Sequence, residues 1–172
     1  MTPLIGGAFD PPHNGHVALA AAVRDRFGEP VILVTADPGH KATAAPAAAR
    51  LALARAAFPG YRVELDPHAR TIDLLRAGGF AEPLVVIGAD EFRDFPTWKE
   101  PEQVLRLARV AVATRPGYEL DDADGVESFE IEPLPISSRE LRARVARGEA
   151  IDGLAPPAVA DLIAELGLYV RR

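Results

Sequence analysis

The sequence predicts an α/β fold: a doubly wound, mainly parallel sheet with helices on both faces, in one domain spanning residues 1–172. Three observations carry this expectation. Short apolar runs alternate with helix-period segments along the chain, which is the signature of βαβ units. Right-handed crossovers between parallel strands then place helices on both sides of the sheet. At 172 residues the chain is long enough for one substantial core and short for two.

Taken in order, Leu4-Ile5 ends a buried strand at Pro3–Gly6, and paired glycines and prolines break it. Leu19, Val23 and Phe27 recur at i, i+4, i+8 in a segment rich in helix formers, giving a helix at Gly15–Phe27. The apolar run Val31–Thr35 is the second strand, followed by a helix at Ala47–Phe58. Tyr61–Leu65 is the third strand, Thr71–Ala77 a helix, and Leu84–Gly88 the fourth strand. A helix at Pro101–Leu107 precedes the fifth strand, Val110–Thr114, and a weaker strand signal surrounds Ser128–Ile131. Helices at Ser138–Arg147 and Pro157–Leu166 follow. The pattern is that of a Rossmann-like sheet. Ala36–Pro46 and Gly88–Glu100 are longer than simple connectors and read as loops that build a site.

Composition narrows the function. Asp and Glu number 25 against 19 Lys and Arg, and no basic run is interleaved with aromatics, which argues against nucleic acid as a partner. With zero cysteines there is no disulfide framework, thiolate nucleophile or thiolate metal site, as suits a cytoplasmic protein. No apolar run approaches the ~18 residues of a membrane span, so no membrane partner is expected. A homo-oligomer is left open. The acidic stretch Asp121-Asp122-Ala123-Asp124-Gly125 has the wrong residues at the ends of a calcium loop and reads as a solvated turn.

The chemistry concentrates in Gly6-Gly7-Ala8-Phe9-Asp10-Pro11-Pro12-His13-Asn14-Gly15-His16, a strand-to-helix loop. Such loops open at the carboxyl ends of the strands, where ligands bind in this architecture. Gly6 and Gly7 admit close backbone approach to an anion. His13 and His16, three apart, project together near the positive end of the helix dipole. An imidazole there, with an intrinsic pKa near ~6.5, tends to hold its proton beside phosphate oxygens. The alternatives are a capping loop with Asp10 or Asn14 as the cap, or a metal-ligating histidine pair. Zinc is disfavoured, since there is neither a cysteine nor a glutamate placed as in HExxH, and no metal ligand is assigned.

A second constellation begins at Ile136-Ser137-Ser138-Arg139-Glu140-Leu141-Arg142. Ser137 and Glu140 are spaced as a capping box, with Ile136 and Leu141 as its apolar staple. Ser138 and Arg142, at i and i+4, bring a hydroxyl, a guanidinium and spare helix N–H groups to one spot that suits a polyphosphate.

Together His13-Asn14-Gly15-His16 and the Ile136-Ser137-Ser138-x-x-Leu141-Arg142 segment resemble the HxGH nucleotidyltransferases that make dinucleotides from ATP. Asp37-Pro38-Gly39-His40-Lys41, Gly88-Ala89-Asp90, Pro96-Thr97-Trp98-Lys99 and Arg115-Pro116-Gly117 narrow the resemblance to the nicotinate-mononucleotide adenylyltransferases. It runs through almost the whole chain in order. Departures are Ala8, where that family usually has Thr or Ser, the segment from Ala69 to Leu74, which matches only around Thr71, and a short chain.

The resemblance implies attack by the phosphate of nicotinate mononucleotide on the α-phosphorus of ATP, with Mg²⁺ on the phosphates and pyrophosphate leaving. It implies His13, His16 and Arg142 as catalytic residues, and an ATP site of Gly7, Ala8, Phe9, Gly15, Gly88, Asp90, Ile136, Ser137 and Ser138. For the acceptor it implies Lys41, Thr71, Trp98, Lys99 and Arg115. Asp90 reads equally as a helix N-cap, Lys41 as a surface lysine, and Trp98 as ordinary loop packing. Transfer to another phosphorylated acceptor, such as phosphopantetheine, or a nucleotide-binding module without catalysis would share the same ATP half.

Overall fold

Side chains alternate across each strand, so neighbours in sequence enter different cores. The computed structural model, which describes residues 1–39, 42–117 and 125–170, shows this at once in its first strand. Leu4 joins one buried cluster and Ile5 the other. Among the described residues six strands form: β1 (Thr2–Gly7), β2 (Val31–Thr35), β3 (Arg62–Asp66), β4 (Pro83–Gly88), β5 (Arg109–Thr114) and β6 (Val126–Glu130). All pair in parallel, in the order β3-β2-β1-β4-β5-β6.

Helices α1 (Asn14–Phe27), α2 (Ala47–Ala57), α6 (Ser138–Ala146) and α7 (Pro157–Glu165) cover one face, where Val23, Leu53, Leu141 and Val159 pack on Ile5, Ile32 and Val86. Helices α3 (Thr71–Ala77), α4 (Ala89–Asp94) and α5 (Pro101–Leu107) cover the other, with Ile72, Phe92 and Val104 on the core of Leu4, Val85 and Val112. The doubly wound expectation holds, with every strand parallel. None of the helices among the described residues is long and apolar enough to cross a membrane.

Three details depart from the sequence reading. The third strand starts one residue late, because the Tyr61 N–H turns back to the Phe58 carbonyl at 3.2 Å. The last strand starts early, since the Val110 N–H draws the Gly125 carbonyl onto the ladder at 2.9 Å. Most important, Gly88–Glu100 is not simply a loop: α4 and a single 3₁₀ turn at Phe95–Thr97 occupy it. Phe92, Phe95 and Trp98 recur every third residue, with ring centroids 5.8 and 5.2 Å apart, and their burial folds a segment too short to show a period. The turn expected at Asp121–Asp124 lies outside the described residues.

A candidate adenylyl-transfer site at the carboxyl edge of the sheet

The strand order reverses between β1 and β4, so the loops after these two strands part and leave a crevice. The loop after β1 is shaped by Phe9. Its backbone takes φ +46, and its buried ring meets the rings of Phe58 and His16 edge-on at 5.6 and 5.1 Å. The same ring passes over Gly7, where a Cβ would sit 3.2 Å from two of its carbons. Of the residues assigned to ATP, Gly7 and Ala8 therefore offer backbone here, and the Phe9 side chain belongs to the core.

His13 is the N-cap of α1, and neither Asp10 nor Asn14 takes that role. The reason is that Asn14 donates from its side chain to the Gly153 carbonyl at 2.8 Å, while the Asp10 carboxylate turns toward residues 44 and 45. The His13 backbone N–H donates to His16 Nδ1 at 3.1 Å, so a neutral His16 carries its proton on Nε2. The two imidazoles lie face to face, centroids 3.7 Å apart and tilted by 32°. Gly15 makes room for this pair, because a Cβ there would lie 3.0 Å from His13 Cε1 and Nδ1. His13 Nδ1 is buried without a hydrogen-bond partner among the described residues. Desolvation lowers the His13 pKa to about 4. Burial by itself thus favours the neutral form of His13.

Asp10, almost fully buried, organises the backbone around the histidines. Its Oδ2 accepts from Ala44 N–H at 2.6 Å, and its Oδ1 accepts from Ala45 N–H at 3.1 Å and from the Tyr169 hydroxyl at 2.8 Å. Beside it Arg50, 1% exposed, donates to four carbonyls: Ala8 at 2.9 Å, Thr35 at 2.8 Å, Ala36 at 2.7 Å and Ala45 at 3.1 Å. Sequence reasoning missed Arg50 and Tyr169 and weighed Asp10 only as a cap. Arg50 did leave a trace, since Arg50, Leu53, Ala54 and Ala57 form the buried stripe of α2, an arginine where an apolar residue belongs.

The α6 constellation meets this loop as expected. Ser137 caps α6 by accepting from Glu140 N–H at 3.2 Å. The reciprocal half of the capping box is replaced by a Glu140–Arg144 pair at 3.1 Å. Ile136 and Leu141 both enter the core at this helix entry. The first residue of α6, Ser138, donates its hydroxyl to the Pro11 carbonyl at 2.8 Å, and one turn on Arg142 Nη1 donates to the Asp10 carbonyl at 2.6 Å, across 127 and 132 residues of sequence. Arg142 Nη1 also stands 4.0 Å from Asp10 Oδ2. A guanidinium and a fresh helix N-terminus thus face the histidine loop.

On the far side of the crevice Gly88 ends β4 and is the N-cap of α4, so Asp90 lies in the first helical turn and is not the cap. Its carboxylate is exposed and pairs loosely with Arg93 at 3.3 Å. Thr71 is the first residue of α3. Trp98 packs against Phe95 at the end of the 3₁₀ turn, half-buried over the second core. Lys99 is drawn to Asp73, with Nζ 2.8 and 3.1 Å from the carboxylate oxygens, while Arg76 and Glu100 pair alongside at 2.6 Å. The Lys99 hydrogen bond holds Asp73 below its ordinary pKa, and Arg76 does the same for Glu100. Arg115 is exposed just after β5. Lys41 lies outside the described residues. Thr71, Trp98 and Lys99 are therefore gathered by α3 and the 3₁₀ turn; among the described residues no hydrogen bond or ion pair joins Arg115 to them.

Residues 4–144 match the cytidylyltransferase-like family. The chain is 36% identical to a probable nicotinate-nucleotide adenylyltransferase of Salinispora arenicola, over 96% of this chain and 99% of that one. It is also 36% identical to a protein of the same description from Bordetella avium, over 96% of each. Among solved structures it resembles the Plasmodium falciparum nicotinic acid mononucleotide adenylyltransferase complexed with NaAD, with a TM-score of 0.78, 18% identity, and 98% of this chain and 96% of that chain covered.

Proposed function

The chain belongs to the nicotinate-nucleotide adenylyltransferases of the cytidylyltransferase-like family, and from that membership we propose how its carboxyl-edge loops divide the reaction. It is a nucleotidyltransferase of NAD biosynthesis. A phosphate oxygen of nicotinate mononucleotide attacks the α-phosphorus of ATP, the bond to the β-phosphate oxygen breaks, and pyrophosphate leaves. The step needs alignment and charge stabilisation and forms no covalent enzyme intermediate.

In this reading the His16 Nε2–H donates to the α-phosphoryl oxygens as charge builds on them. His13, stacked on His16, brings its imidazole to the same phosphates and gains a proton when their charge arrives. Arg142 uses one N–H on the Asp10 carbonyl and turns the rest of its fork to the departing pyrophosphate. The Ser138 hydroxyl is occupied by Pro11, so its phosphate contact is its backbone N–H in the first turn of α6. Asp90 accepts from a ribose hydroxyl. Trp98 stacks on the pyridine ring, Thr71 meets the nicotinate carboxylate, and Lys41 and Arg115 meet the mononucleotide phosphate. Lys99 acts at one remove, by holding Asp73 and with it the start of α3.

Among the described residues no three His, Cys, Asp or Glu side chains gather as a metal set, and we read magnesium as entering on the triphosphate, as MgATP. There it neutralises the β and γ phosphates. The residues beyond 144 belong to the same domain in this reading, because Tyr169 donates into the site. The location is read as cytoplasmic, in keeping with the absence of cysteine.

The observation that carries the proposal is the grip of Ser138 and Arg142 on the Asp10-Pro11 backbone, which brings the start of α6 to the histidine loop and supports reading a polyphosphate site there. Incubation with ATP, Mg²⁺ and either nicotinate mononucleotide, its amide or phosphopantetheine, followed by pyrophosphate assay, tests it. Release with nicotinate mononucleotide is expected. Release only with phosphopantetheine would reassign the acceptor, and none with any acceptor would make the chain a nucleotide-binding module.

A further inference from the structure

Asp10 touches no substrate in the reading above, yet its carboxylate joins parts of the site that serve different substrates. Oδ2 and Oδ1 fix the backbone of Ala44 and Ala45, at the end of the loop that follows β2 on the acceptor side. Its carbonyl holds Arg142, on the triphosphate side. What holds Asp10 itself comes from a third place, the segment after α7. The Leu168 N–H caps that helix on the Ile163 carbonyl at 3.1 Å, and the next residue, Tyr169, takes φ +63 and lays its half-buried ring on the core. Its hydroxyl reaches Asp10 Oδ1 at 2.8 Å, across 159 residues. Burial raises the Tyr169 pKa, and Asp10 raises it further, so the hydroxyl stays a donor at every physiological pH.

We propose that Tyr169 is a positioning residue for adenylyl transfer, which keeps the Asp10 carboxylate turned to Ala44 and Ala45 and so leaves Arg142 available to the triphosphate. The competing arrangement is close at hand, because Arg142 Nη1 is only 4.0 Å from Asp10 Oδ2. Without the hydroxyl, Oδ1 keeps the Ala45 N–H alone, and a buried carboxylate short of donors draws in the nearest cation. The guanidinium then closes on the carboxylate, abandons the carbonyl that aims it, and loses its line to the phosphates. The carboxylate turns as it does so, and the Ala44-Ala45 backbone is released. A residue that touched one substrate would disturb one affinity; Tyr169 should disturb both.

The inference rests on the reading of α6 and the histidine loop as the triphosphate site, so the test separates the two. Full-length wild-type, Tyr169→Phe, Asp10→Asn and the double variant are compared by calorimetric titration with MgATP, by steady-state kinetics with MgATP and nicotinate mononucleotide, and by thermal unfolding. Tyr169→Phe should weaken MgATP binding roughly threefold to tenfold, raise both KM values and lower kcat about tenfold, with a small change in Tm. In the Asp10→Asn background it should add little, because the charge that recaptures Arg142 is gone. Wild-type MgATP affinity and kinetics in Tyr169→Phe would overturn the proposal, as would a defect that adds in full to Asp10→Asn. A Tyr169→Phe chain that no longer folds would overturn it too, since the role would then be structural. Wild-type binding of MgATP without turnover of nicotinate mononucleotide would refute the assigned acceptor alone, and the titration would still decide the role of Tyr169.

Discussion

At Gly15 a Cβ would lie 3.0 Å from two atoms of the His13 ring, so the ring must shift to admit a side chain. Gly15→Ala should therefore separate stability from activity. Alanine favours a helix over glycine by about 0.5–1 kcal/mol, so Tm should hold or rise slightly. Turnover should fall at least tenfold, because the displaced imidazole no longer stacks on His16. Calorimetry alongside a pyrophosphate assay checks both. His13 carries a second prediction. Burial lowers its pKa from 6.5 in the unfolded chain to about 4 in the folded one, so between those values the unfolded state binds more protons. Its contribution to stability is complete above pH 6.5, declines as pH falls, and is gone by about pH 4, a span on the order of 3 kcal/mol. Urea unfolding across that range should show the decline in the wild type and lack that share of it in His13→Gln. The spacing of these histidines and the glycine between them were legible in the sequence. That His13 is itself the cap was not, because Asn14 and Asp10 are drawn away from that role by groups distant in the chain.

Arg50 belongs to α2 but acts on the loops after β1 and β2, which it fastens by their carbonyls. A lysine can present its charge in the same place but not the planar fork that serves four acceptors. Arg50→Lys should leave some of those buried carbonyls unpaired and cost about 2–3 kcal/mol in urea unfolding. It should also raise both KM values, since both loops border the crevice. The strands and long helices of this fold declared themselves through alternating apolar runs, and their ends fell within a residue or two of the expected ones. Helix α4 and its 3₁₀ turn did not, because six residues and one tight turn are too short for a period to emerge. They form because Phe92, Phe95 and Trp98 find a core already built by β4, β5 and α5. The sequence placed Trp98 and Lys99 in a loop for that reason, although the aromatic spacing was visible.

Across the whole molecule, the reversal of strand order puts every assigned residue among the described ones on one edge of the sheet, whatever element it comes from. Binding at that edge should stabilise the complete fold. At a hundredfold excess over its dissociation constant, MgATP should add about 2.7 kcal/mol, which raises Tm by roughly 5–10 °C for a chain of this size. Thermal unfolding with and without MgATP measures it, and Arg142→Ala should show a much smaller rise at the same concentration. The two ends of the site were legible as separate motifs, and so was their meeting. The intermediaries were not: Asp10 to Tyr169 is a hydrogen bond between residues 159 positions apart with no motif to mark it. That separation bears on how the enzyme is made. A ribosome delivers the histidine loop first and Tyr169 last of all these partners, so a growing chain carries that loop through most of synthesis without Ser138, Arg142 or the tyrosine beside it. Nascent chains that lack Ser138 and Arg142 should thus bind ATP poorly, and those that lack only Tyr169 should bind it less tightly than the finished chain.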